Sequence, residues 1–307
     1  MTTATTTAAA AAAAAAEQNR QEVKGMWLGL AGVAIFSLTL PFTRLAVTEL
    51  DPVFVAMGRA VVAALLAAIL LWMQKARLPD YADLKALLIT AVGVVIGFPL
   101  CSTWAMQYVP AAHGAIVLGI LPLATALFAA IRFHERPSPG FWLMAVIGSA
   151  LVIVFALMQG AGHLQWADLA LFGAVLAAAM GYAEGGRLAQ RMGGLQVIAW
   201  ALILILPVTL GLSIWSVWQH GLHASPVVWS GFAYVSVFSM FIGFLFWYKG
   251  LAIGGIARVG QIQLLQPFMS LFGAAVIMGE TLSWTNMGFA LAVIVTVGLG
   301  RRMKIHR

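Results

Sequence analysis

The chain has 307 residues, of which 62% are hydrophobic and 9% charged, with a net charge of +7. Soluble domains carry about 25% charged residues, so this composition excludes an ordinary water-soluble fold, and the solvent it suits is lipid. The positive charge is scattered between apolar runs rather than gathered on one face, which argues against a nucleic-acid partner and reads as a topology signal.

The opening MTTATTTAAAAAAAAAE lacks the basic and Leu-rich regions of a cleaved signal peptide. Residues 1–25 are therefore read as a cytoplasmic tail, disordered or loosely helical. A hydrocarbon core of about 30 Å needs roughly 20 apolar residues in a helix. Ten runs meet or approach that length. The first five are Met26–Val47, Pro52–Trp72, Leu84–Trp104, Ala111–Ile131 and Phe141–Met158. The second five are Leu169–Ala189, Leu195–Trp218, Val228–Tyr248, Ala257–Met278 and Trp284–Gly300. The fold class expected is an all-α integral membrane protein of ten transmembrane helices. Its repeat units are expected at 26–158 and 167–300, with a basic cytoplasmic tail at 301–307.

Orientation follows from Lys and Arg. With the N-terminus inside, Arg20, Lys24, Lys75, Arg77, Lys85, Arg132, Arg136, Arg187, Arg191, Lys249 and Arg258 all fall at inside loops or helix ends, as do the basic residues of 301–307. Arg44 falls near the outside, and Arg59 lies within the second run. That asymmetry predicts a multi-pass protein of the bacterial inner (plasma) membrane with both termini cytoplasmic.

The halves echo each other. At an offset of 145, Pro122 meets Pro267, Ala112 meets Ala257, Glu135 meets Glu280 and Ser138 meets Ser283. At an offset of 143, Arg44-Leu45-Ala46 meets Arg187-Leu188-Ala189. A five-helix repeat is odd-numbered, so its copy enters the membrane upside down. Two inverted five-helix repeats form an alternating-access architecture with a substrate site near the midplane. Pro41, Pro99, Pro122 and Pro267 are predicted helix kinks, since proline lacks the N–H of its turn. In lipid each carbonyl so freed needs another partner. The pairs Gly25/Gly29, Gly181/Gly185 and Gly250/Gly254 permit close helix packing.

Chemistry-bearing motifs are sparse. There is no phosphate-binding GxxxxGK[ST] loop and no HExxH. His220 and His223 lack further ligands for a metal, so no metal, cofactor or catalytic residue is expected. Cys101 reads as a small buried hydrophobe. Glu184 and Arg187, three residues apart, are either an ion pair or a proton-coupling group. Asymmetry between the halves singles out Gln261, Gln263 and Gln266, which stand where the fourth run has Ile116, Leu118 and Leu121. A buried amide needs a partner, so these line a cavity or tie helices together. Thr39 and Tyr182 match across the repeats, and His113 matches Arg258. With the aromatics Phe42, Trp104 and Trp247 they complete the candidate cavity lining. Phe36, Phe98, Tyr108 and Phe244 are further aromatics, of which most belong to core or lipid-facing surface and a few to an apolar pocket.

The stretch WAMQYVPAAHGAIVLGILPLATALFAAIRFHERPS (Trp104–Ser138) and its echo WYKGLAIGGIARVGQIQLLQPFMSLFGAAVIMGETLS (Trp247–Ser283) resemble the EamA-type signature of the drug/metabolite transporter superfamily. Shared are an Ala-rich helix start, a mid-helix Pro, and Glu followed by Ser three residues on. The resemblance implies ten helices in two inverted halves and a cavity lined by helices 1, 3, 4, 6, 8 and 9. It also implies export of amino acids or related metabolites, and within the superfamily the chain looks most like YddG-type exporters of aromatic and neutral amino acids. The alternatives are an exporter of drugs or other metabolites, a membrane-embedded enzyme acting on lipid-linked substrates, and a passive channel. The partners expected are a small-molecule substrate and the bilayer, with the protein a monomer.

Overall fold

The computed structural model describes residues 2–109, 111–133, 136–158, 166–270, 272, 284–303 and 305–306. Six helical segments are long and apolar enough to cross a membrane: α1 (Ala16–Ala46), α2 (Pro52–Met73), α3 (Tyr81–Ala105), α4 (Trp166–Met192), α5 (Gly194–His220) and α6 (Pro226–Gly254). Three shorter apolar helices, Leu121–Phe133, Pro139–Phe155 and Met287–Gly300, stand in the fourth, fifth and tenth predicted runs. The ninth run begins as helix Ile256–Gly260 and a 3₁₀ turn, Gln261–Leu265. It continues as helix over 266–270. Glu135, Glu280 and the end of that run lie outside the described residues.

Two features add to the sequence reading. The Ala-rich opening is helical and continuous with the first apolar run, Thr2–Ser37, in keeping with alanine's position as the best helix former. A two-residue antiparallel pairing, Arg136 with His306 and Pro137 with Ile305, joins the segment after Leu121–Phe133 to the C-terminal residues.

Small residues decide which helices touch. Lipid tails are as apolar as leucine, so helices associate in a membrane by close packing. A Cβ on Gly25 would stand 2.5 Å from the Gly254 Cα, and one on Gly250 would stand 2.8 Å from the Gly29 N. These four glycines bring α1 against α6. A Cβ on Gly93 would stand 2.5 Å from the Ala177 O, and this contact brings α3 against α4. Alanines 60, 63, 64 and 67 of α2 are fully buried or nearly so. Leu65, Ile69, Leu127, Ile131, Leu169 and Leu291 are exposed, as lipid-facing positions should be.

The helix interruptions follow the prolines. α1 breaks at Leu38, three residues before Pro41. In α3 a π-helix, Ala91–Gly97, immediately precedes the segment that carries Pro99. Ala111–Leu118 ends three residues before Leu121–Phe133 resumes around Pro122, and the 3₁₀ turn precedes Pro267. α6 contains a second π-helix, Tyr234–Ile242, with no proline. The two π-helices begin 143 residues apart and end 145 apart, matching the offsets that align the halves in sequence.

The ends of the bundle are chemically distinct. At one, Glu22 pairs with Arg258, Asp83 with Arg191 and Glu184 with Arg132. At the other, Asp51 caps α2 and accepts from the Ser216 hydroxyl, and Glu49 accepts from Ser225. Arg44, the exception in the charge pattern, donates to the carbonyls of Met106 and Val109 at 2.9 and 2.6 Å. It thus serves the carbonyls left free where α3 ends.

Candidate functional site

A small cavity lies where α1, α2, α3, α4 and α6 meet the helix breaks before Pro122 and Pro267. Its volume is about 20 Å³, room for about one water. Phe36, Thr39 and Leu40 reach it from the break in α1, Arg59 from α2 and Phe98 from α3. Tyr182 comes from α4, and Ser239 and Phe244 from α6. Leu118, Leu121, Gln263 and Gln266 complete the wall. A larger open groove of about 520 Å³ at Leu71, Trp72, Lys75 and Trp200 shares no residue with it.

Thr39 and Ser239 share a hydrogen bond of 2.8 Å that joins the α1 break to the π-helix of α6. Gln266 donates to the Phe36 carbonyl at 3.3 Å, and Gln261 to the Pro122 carbonyl at 3.5 Å. Tyr182 lies within reach of the Gln263 amide. The Gln263 Oε1 is buried with no partner. Arg59 is 1% exposed, and its Nε and Nη1 are also buried without a hydrogen-bond partner. A charge at mid-helix costs about 2.5–3.5 kcal/mol on insertion scales. Rings enclose the polar groups: Phe36 meets Phe244 edge-on at 5.1 Å, and Tyr182 stands 5.3 Å from Trp247 and 6.1 Å from Phe244.

The structure therefore brings together Thr39, Tyr182, Gln263 and Gln266 at one cavity. Trp247 is fully buried behind it, packed on Tyr182 and Phe36. Gln261 is an interhelical tie. Phe42 stacks on Tyr234 at 4.3 Å, and Trp104 is 42% exposed beside Tyr108; neither borders the cavity. His113 belongs to the helix Ala111–Leu118, and its side chain lies outside the described residues. Glu184 takes Arg132, not its helix neighbour Arg187, as its ion-pair partner, at 2.7 Å. Arg187 lies over the Phe133 ring at 5.6 Å. Sequence reasoning placed Arg59 in a span without giving it a role. The available signal was its helix face, where Val55, Ala56, Val62 and Ala63 offer no acid. Ser239 carried no signal, because serines are common in apolar helices.

The EamA-like transporter family matches the chain twice, at residues 23–157 and 165–300. The chain belongs to the EamA-like transporter family. The uncharacterized transporter YdeK of Bacillus subtilis (strain 168) is 47% identical over 285 residues, 90% of this chain and 96% of that protein. A probable terminal-alkyne amino-acid exporter of Streptantibioticus cattleyicolor is 24% identical over 295 residues, 91% of this chain and 96% of that protein. A crystal structure at 17% sequence identity has a TM-score of 0.74 over 91% of this chain and 98% of the other, a likeness of fold alone. This EamA-family protein is a multi-pass membrane transporter, not an enzyme. Both matched units contribute to its cavity, with Phe36, Thr39, Arg59 and Phe98 from the first and Tyr182, Ser239, Phe244, Gln263 and Gln266 from the second.

Proposed function

We propose that this EamA-family transporter exports neutral and aromatic amino acids across the bacterial plasma membrane by alternating access. The observation that carries the reading is the cavity between the two family units. It is walled by Phe36, Phe98, Phe244 and Tyr182 and holds a few polar groups, the pattern of a small-molecule site. The amino-acid class is supported also by the name of the Streptantibioticus cattleyicolor relative.

Ten spans in two inverted halves, with both termini cytoplasmic, suit this mechanism. The paired π-helices and the proline-linked breaks in corresponding segments support a repeated unit, and the basic residues at one end support the orientation. Helix breaks at a midplane site are where repeats rock against each other. With room for about one water, the cavity must widen toward one side to admit an amino acid. The ties from Thr39 to Ser239 and from Gln266 to Phe36 are hydrogen bonds that such a widening breaks.

The test is uptake of labelled Phe, Trp, Leu, Met, Thr and Lys into proteoliposomes, with and without a pH gradient. Saturable uptake of the neutral members, accelerated by the same amino acid on the far side, is expected of a carrier. Linear uptake without counterflow identifies a channel. No amino-acid uptake by folded protein removes this substrate class and directs the search to drugs and other metabolites. Dependence of the rate on the gradient reports whether protons drive the cycle.

A further inference from the structure

Four charged side chains are buried among the described residues: Arg59, Asp83, Asp168 and Glu184. Asp83 and Glu184 are ion-paired, and Asp168 is engaged. Arg59 makes neither an ion pair nor a hydrogen bond through Nε or Nη1. Arginines with structural roles in this molecule look different. Arg44 spends its guanidinium on two carbonyls, and Arg258, whose Nε is also unpartnered, gives its two terminal nitrogens to Glu22 and the Met303 carbonyl.

Arg59 also borders the cavity, and none of the other residues that line it is acidic. A guanidinium is a donor-only group that stays charged in a protein and matches the two oxygens of a carboxylate. Across the same cavity, the Gln263 Oε1 is an acceptor without a donor. A buried cation and a buried acceptor, each unanswered by the protein, are complementary to a ligand that carries an anion and a donor together.

We infer that Arg59 anchors the substrate carboxylate and the Gln263 Oε1 receives the substrate ammonium group, so that the site recognises the zwitterion of an α-amino acid. The assignment rests on the amino-acid reading above and deepens it. The rings of Phe36, Phe98 and Phe244 then receive the side chain, where an apolar surface tolerates many shapes. Specificity for the backbone of the substrate comes from two polar groups, and breadth toward its side chain comes from the rings.

The deciding experiment needs no altered protein. Uptake of labelled leucine by wild-type proteoliposomes is competed with leucine, leucinamide, isoamylamine and 4-methylvalerate. Leucinamide and isoamylamine lack the carboxylate, and 4-methylvalerate lacks the ammonium. Deleting one partner of a charge-assisted hydrogen bond weakens affinity by about 10–100-fold. All three analogues are therefore expected to compete about 10-fold or more weakly than leucine. Arg59→Gln is expected to raise the half-saturating leucine concentration by a similar factor, with partial rescue by Arg59→Lys and no further weakening for leucinamide. Leucinamide competing as well as leucine overturns the inference while leaving amino-acid transport standing, as does unchanged leucine affinity in Arg59→Gln. If Arg59→Gln does not fold, the wild-type competition decides alone. Absence of any amino-acid uptake by wild-type protein removes both the amino-acid reading and the zwitterion assignment.

Discussion

Pro41 has no N–H to give the Ser37 carbonyl, its partner four residues back. That carbonyl lies inside a bundle where water is scarce, and it is met instead by the Ser270 hydroxyl. One missing proton in α1 thereby ties the first half to the second, beside Gln266, which donates to the neighbouring Phe36 carbonyl. Ser270→Ala is expected to destabilise the protein by about 1–2 kcal/mol, since it strands a buried acceptor. Pro41→Ala restores the intrahelical donor, so the same serine substitution in that background is expected to cost much less. Unfolding of the four proteins in detergent gives the coupling energy of this cycle, and additive effects speak against the compensation. Gln261 also donates to a backbone carbonyl on another segment, that of Pro122, although the carbonyl that Pro122 itself leaves without a helical donor is that of Leu118. The glutamines thus divide by neighbour: Gln261 and Gln266 serve backbone carbonyls, and Gln263 leaves its oxygen unpaired at the cavity.

At the scale of helices, close glycine packing joins the two halves twice, and each half carries one π-helix. α1 rests on α6 through Gly25, Gly29, Gly250 and Gly254, and α3 rests on α4 through Gly93 and Gly181. The π-helix of α3 carries Gly93 at its contact with α4, and the π-helix of α6 meets α1 through the Thr39–Ser239 hydrogen bond and through Tyr234, which donates to the Ile35 carbonyl. A π-helix widens the turn and leaves carbonyls off the regular ladder, and such segments are frequent at functional sites. Gly25→Leu and Gly93→Leu are each expected to lower stability by about 1–3 kcal/mol, because backbone faces the missing Cβ and cannot yield as a side chain does. A fall in thermal midpoint and reduced transport in both variants are the expected results. Gly211, with open space around it, is the control: Gly211→Ala is expected to leave the midpoint unchanged or slightly raised, since alanine favours a helix interior more than glycine does.

For the whole molecule, the division between a basic end and an end carrying Glu49, Asp51 and His220 predicts which loops face the cytoplasm. In a Cys101→Ser background, His223→Cys is expected to react with an impermeant maleimide in intact cells. Arg77→Cys is expected to react only after lysis. Both positions are exposed on the protein, so the membrane alone separates them. The reverse pattern inverts the topology and turns the proposed export path around.

Composition, the lengths of the apolar runs and the residue matches between the halves determined the membrane class, the placing of those runs and the doubled organisation. These are one-dimensional properties: a span is a length of apolar chain, and a repeat is a recurrence of residues. Pro41, Pro99, Pro122 and Pro267 located helix breaks for the same reason, since a missing N–H acts on its own turn, whereas Pro207 stands inside the unbroken α5. The partners of the freed carbonyls were not legible, because Ser37 and Ser270 lie 233 residues apart and nothing local joins them. Glu184 shows the same limit. Arg187 was its nearest cation along the helix, yet Arg132 on another helix is the one it meets. The π-helix in α6, without a proline to mark it, also emerged only from packing. The cavity depended most on tertiary structure. Arg59, Tyr182, Ser239 and Gln263 come from four separate segments, and whether a buried polar atom has a partner is decided by what packs against it.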